Sequence, residues 1–144
     1  MVEGGAVDWA AHDHQSGRLI EEQIDFNLSI EAVIAWVEKN GGWGETLVVI
    51  TADHETGYLT GPGSGPADPD NGGVPHWEPL GAQGRGKQPD MEWHVDGHTN
   101  SLVPFFAMGA GSRAFVDVAD EIDPVRGPFL DNTEIGLVIF SFLQ

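Results

Sequence analysis

This chain predicts an α/β fold, on three observations. Residues Leu19 to Asn40 carry apolar side chains at helical spacing, one stripe through Ile20, Ile24, Leu28, Ala32 and Ala35 and another through Phe26, Ile30, Val33, Ile34 and Val37. A short loop later, Leu47-Val48-Val49-Ile50 forms a β-branched apolar run within Thr46 to Thr51, the pattern of a buried strand. Polar residues then cluster at the end of that strand, in Thr51-Ala52-Asp53-His54-Glu55. Open α/β sheets place their ligands at this end.

The other elements follow in order. Residues 1–17 hold a first polar cluster and end at Gly17. Asn40-Gly41-Gly42 supplies the stop for the long helix. Tyr58 to Asp96 is rich in Pro and Gly, as in Gly61-Pro62-Gly63-Ser64-Gly65-Pro66, and is too long for an ordinary connection. It reads as a functional loop, a lid or a small subdomain, with Trp77 and Trp93 packed on something. Leu102 to Met108 reads as a second core strand, Gly109-Ala110-Gly111 as a turn and Phe115 to Val118 as a short strand. Asp131-Asn132-Thr133-Glu134 has the pattern of a capping box for a final helix reaching about Leu143.

Composition narrows the function. Lys and Arg total 6 against 23 Asp and Glu, for a net charge of −17. That argues against nucleic acid as a partner, because phosphate contacts need cations. It suits divalent metals, which neutralise a few carboxylates. Zero cysteines exclude disulfides and thiolate zinc sites. No apolar run is long enough to span a bilayer. A length of 144 residues allows one domain with a packed core.

Three clusters rich in Asp, Glu and His carry the chemistry. They are Glu3-Gly4-Gly5-Ala6-Val7-Asp8-Trp9-Ala10-Ala11-His12, the Asp53-His54-Glu55 segment, and Gly97-His98-Thr99-Asn100-Ser101. Without cysteine, they suggest one oxygen and nitrogen metal site assembled from distant segments. Asp8 and His12 are four apart, so a helical turn puts both on one face. On that spacing alone a surface Asp–His pair is the simpler reading. For Asp53 and His54 alone, a turn cap beside an incidental histidine is the simpler reading.

Taken together, the three clusters resemble the metal-binding segments in the C-terminal half of an alkaline phosphatase. Val103-Pro104-Phe105-Phe106-Ala107-Met108-Gly109 and Asp131-Asn132-Thr133-Glu134-Ile135 resemble that family's closing stretches. The resemblance covers most of the chain apart from about Tyr58 to Asp96. It implies part of a three-layer α/β/α sandwich, with residues 1–144 as the C-terminal portion of a catalytic domain and 58–96 as an insertion within it. It implies hydrolysis of phosphate monoesters with two zinc ions and one magnesium. Asp8, His12 and His98 would bind the first zinc, Asp53 and His54 the second, and Glu3 the magnesium. It further implies a homodimer in the periplasm or outside the cell, with no membrane partner.

The chain also departs from the family pattern. The six serines, at positions 16, 29, 64, 101, 112 and 141, do not have the neighbours of the family's nucleophile. The phosphate-clamping arginine and the aspartate bridging zinc and magnesium are unmatched as well. The expectation is therefore that an N-terminal half supplies them and that this chain alone is inactive. Other members of the superfamily, phosphodiesterases or sulfatases, are the enzymatic alternative, and an acidic metal-binding module is the non-catalytic one. His14, His76 and His94 are better read as ordinary histidines than as ligands. Glu55 would support the ligands from behind, Asp25 would be a solvated or capping carboxylate, and Trp9 would line the site or simply pack.

Overall fold

The computed structural model describes residues 1–65 and 76–143. The middle of the insertion expected over 58–96, Pro66 included, lies outside the described residues, as does residue 144. The order of elements is α1 (Gly5–His12), α2 (Ser16–Lys39), β1 (Leu47–Ile50), β2 (Glu55–Thr56), β3 (His98–Thr99), β4 (Phe106–Gly109), α3 (Ala114–Val118), β5 (Glu121–Asp123), β6 (Gly127–Phe129) and α4 (Asn132–Ser141). Mixed helix and strand bear out the α/β class. The chain divides into two compact units, Met1–Glu31 with His54–Ser101, and Ala32–Asp53 with Leu102–Gln144.

In the first unit, α1 starts at Gly4, which has no capping side chain. A Cβ at Gly4 would come within 2.9 Å of the Phe26 ring, so the close passage of α2 requires glycine there. Ala10 and Ala11 are buried, and their small size lets α1 lie against β2. β2 and β3 form a two-residue antiparallel ladder pairing Glu55 with Thr99 and Thr56 with His98. The Glu55 carboxylate reinforces it by accepting from the Tyr58 N–H and the Thr99 hydroxyl. The described parts of the long insertion carry only isolated bridges, Thr60 with Glu92, Gly65 with His76 and Gly81 with Asp90.

The second unit takes over α2 at its C-terminal end, where Val37 is buried. Gly41 and Gly42 both have positive φ, and the Gly42 N–H donates to the Val37 carbonyl at 2.9 Å. That is the glycine stop expected from the sequence. β1 pairs antiparallel with β4 in the register Leu47–Gly109 through Ile50–Phe106. Its four residues are half-buried rather than buried, because the sheet they form has only two strands. The second strand begins at Phe106, later than Leu102, after Pro104, which has no N–H to give a ladder.

Phe115 to Val118 is helical, not a strand. Ala114, Phe115 and Val116 donate in succession to the carbonyls of Gly111, Ser112 and Arg113. This turn buries Phe115 against the Phe105 ring, at 5.0 Å between centroids, and that burial overrides its β propensity. β5 and β6 form a hairpin that the strand pattern did not announce. The Asp123 carboxylate closes its turn, accepting from the N–H groups of Arg126 and Val125, which hold it below the usual carboxylate range. α4 carries the expected capping box, in which the Asp131 carboxylate accepts from the Thr133 N–H and the Glu134 carboxylate accepts from the Asp131 N–H. Glu134 also meets Asp120 and Glu121 in a small acidic group beside that N-terminus, a placement the helix dipole favours.

Candidate metal centre

Three residues converge in the first unit. His12 Nε2 lies 2.9 Å from His98 Nε2, and Asp8 Oδ1 lies 3.6 Å from each of those nitrogens. Asp8 and His12 reach this point from one face of α1, a turn apart. His98 arrives through β3, 86 residues from His12, because its cross-strand partner is Thr56. A fourth residue joins them. The His54 ring stacks on His98 at 3.6 Å and 22°, and Asp8, His54 and His98 offer ligand atoms all within 4.8 Å of one another.

The hydrogen bonds decide which nitrogens carry protons. His12 Nδ1 lies 3.0 Å from the Asp96 carbonyl, which can only accept, so Nδ1 is the donor. With that proton on Nδ1, the lone pair of His12 Nε2 faces the cluster and accepts from His98 Nε2–H. The Thr56 hydroxyl donates a hydrogen bond to Asp8 Oδ1 at 2.6 Å. Having no second proton, Thr56 Oγ1 accepts from His54 Nδ1 at 3.3 Å. That bond places the His54 proton on Nδ1. Thr56 is a site residue that sequence reading missed. Its signal, a Thr two residues beyond Asp-His, is too common to stand out.

This donor set fits a zinc ion. Tetrahedral zinc with bonds near 2.0–2.2 Å holds its ligands about 3.3 Å apart, close to the 2.9 and 3.6 Å edges seen here. Imidazoles whose other nitrogens face a carbonyl and a hydroxyl have the orientation that metal-bound histidines adopt. The side chains of His12, Asp8 and His98 are 38%, 34% and 44% exposed, which leaves room for an exchangeable oxygen ligand.

Glu3 is exposed and lines a shallow pocket with Gly4, Gly5, Glu22, Asp25 and Phe26, so the pocket's third carboxylate is Asp25. Asp53 is exposed after the end of β1 and belongs to the second unit. Glu55 is committed to the β2–β3 ladder. His76 pairs with Glu78 at 2.9 Å, and His94 with the Thr60 hydroxyl at 2.7 Å. His14 donates to the Val95 carbonyl and stacks on Trp93. Trp9 is 70% exposed.

Known proteins are similar to this chain. The family model "Alkaline phosphatase" matches residues 1–71. Alkaline phosphatase 3 of Bacillus subtilis is 44% identical over 205 aligned residues that take in all of this chain and 39% of that protein. Alkaline phosphatase of Schizosaccharomyces pombe is 38% identical over 60 residues, 42% of this chain and 10% of its own length. Among solved structures, alkaline phosphatase from the Antarctic bacterium TAB5 aligns with a TM-score of 0.53 and 30% identity, over 76% of this chain and 28% of that one. A TAB5 histidine-to-aspartate mutant with magnesium bound in its M3 site aligns equally well, at 31% identity. The chain thus spans well under half the length of these relatives. By sequence and by fold, it belongs to the alkaline phosphatase family.

Proposed function

We propose that this chain supplies most of the metal ligands of a phosphate monoesterase. Asp8, His12 and His98 hold one zinc, Asp53 and His54 a second, and Glu3 a magnesium ion. The observation that carries this reading is the convergence of Asp8 Oδ1, His12 Nε2 and His98 Nε2 within 3.6 Å, in a chain of this family. For Asp53 and Glu3 the support is their match to the family's motif. When bound, zinc lowers the pKa of a coordinated oxygen and draws charge from the phosphate.

The chain's own residues prepare that chemistry. Asp96 O and Thr56 Oγ1 each hold one ring by its Nδ1, that of His12 and that of His54, and His12 Nε2 is thereby turned toward the cluster. The Thr56 hydroxyl fixes the Asp8 carboxylate. To ligate through Nε2, His98 would carry its proton on Nδ1 instead, and binding would weaken in acid, where protonated imidazoles have no lone pair to give. The seryl nucleophile and the phosphate clamp come from a further segment of the enzyme, and phosphate monoesters are its substrates. The same reading puts the enzyme in the periplasm or outside the cell, as a homodimer.

Zinc titration by calorimetry tests the ligand set. Wild type should bind zinc less tightly as the pH falls, and His12→Ala should bind at least tenfold more weakly than wild type. Equal affinities would remove His12 from the set.

A further inference from the structure

We infer that His14 is a positioning residue for His12, acting through the segment Trp93 to Asp96. The inference rests on His12 being a zinc ligand. His12 takes its orientation from the Asp96 carbonyl, which is 84 residues away in sequence, on a stretch with no helix or strand of its own. The Asp96 side chain is fully exposed, and its carboxylate only approaches His14 Nε2, at 3.8 Å. Something else must hold the carbonyl within reach of His12 Nδ1.

His14 does so from the same turn of chain that carries His12. Its Nε2–H donates to the Val95 carbonyl at 2.8 Å, one residue before Asp96. Two imidazoles, two residues apart, thus engage two consecutive carbonyls. The His14 ring also stacks on Trp93, at 5.1 Å and 11°, and Trp93 Nε1–H donates to Ser16 Oγ at 2.9 Å. The other side of the segment is fixed by Gly57, whose carbonyl accepts from His94 and Val95 and whose N–H donates to Gly97 O. Gly57 has positive φ, and a Cβ there would sit 2.4 Å from the Trp93 ring. The segment is therefore clamped between Gly57 and His14.

The backbone of His14 is adapted to this role. Its φ is 52°, a left-handed conformation just past the end of α1 that costs a histidine energy. The conformation persists with the ring committed to Val95 and Trp93. His14 Nε2 is not a ligand atom in this arrangement, because its proton is spent on a carbonyl that only accepts.

Two substitutions of His14 separate positioning from folding. Glutamine sets an amide N–H where Nε2–H was, whereas asparagine is too short to reach Val95. Asparagine, however, tolerates a left-handed backbone better than glutamine. A purely structural role predicts that Asn outperforms Gln, and a positioning role predicts the reverse. The measurements are zinc affinity by calorimetry and, in the metal-free chain, the ¹⁵N NMR signature of the His12 tautomer. His14→Asn should weaken zinc binding about 3–10-fold, less than the 10–100-fold typical of a direct partner of a ligand. It should also lose the Nδ1–H form of His12. His14→Gln should restore both. Wild-type affinity and tautomer in His14→Asn, alongside weakened binding by His12→Ala, would overturn the inference. Were His12→Ala to bind like wild type, the ligand reading would fall and the inference with it.

Discussion

The Thr56 hydroxyl donates to Asp8 Oδ1 at 2.6 Å, across 48 residues of sequence. One hydroxyl thereby ties a carboxylate on α1 to an imidazole, since Thr56 Oγ1 also accepts from His54 Nδ1. Thr56→Val keeps the shape and removes both bonds. It should lower zinc affinity by about tenfold or more, as loss of such partners generally does. Thr56→Ser should keep most of the affinity. Competition against a chromophoric chelator would measure both, and a valine variant binding like wild type would count against the role of Thr56.

Gly109 should tolerate no side chain. Its φ is +103°, and a Cβ there would lie 1.9 Å from the Thr46 carbonyl oxygen, an atom held by the Ala110 N–H. Gly109→Ala should cost about 1–3 kcal/mol in backbone strain alone, with the clash adding to it. Thermal denaturation should show a clear fall in Tm, whereas Gly63→Ala, where open space surrounds the site, should suffer only the strain of its own positive φ.

The cap of α4 should make stability depend on acid. The side-chain bond from the Thr133 hydroxyl, and then the Thr133 N–H, lower the Asp131 pKa below its ordinary 3.8. A depressed pKa means the cap's ionic contribution is present above about 3.8 and is lost as pH falls through the lower, folded value. Asp131→Asn keeps a capping oxygen without the charge. Its Tm should therefore vary less than that of wild type between neutral pH and pH about 3. Parallel curves for the two proteins would contradict this.

Catalysis should need more than this chain. Positioning and electrostatic stabilisation supply most of the acceleration in phosphoryl transfer. None of the six serines has the family's nucleophile setting. Loaded with zinc and magnesium, the chain alone should turn over an aryl phosphate little above background, and an added N-terminal half of an alkaline phosphatase should raise the rate. Robust turnover by the lone chain, abolished by Asp53→Asn, would show that it carries a complete site.

Local chemistry made much of this protein legible in its sequence. The stripes of α2, its Gly41-Gly42 stop, the β-branched run of β1 and the capping box of α4 are set by neighbours within a few residues. The i, i+4 spacing of Asp8 and His12 likewise put both on one face of α1 without any distant contact. Where burial decides, the sequence was silent. Phe115 and Val116 read as strand yet lie in α3, because packing Phe115 on Phe105 outweighs propensity. The site depends on such long-range pairing even more. His98 meets His12 only because β3 pairs with β2, and the Asp96 carbonyl and the Thr56 hydroxyl reach their partners across 84 and 48 residues. Periodicity records which face a residue occupies on its own element. Which remote carbonyl or hydroxyl aims its ring is a matter of tertiary hydrogen bonding, which leaves no period in the chain.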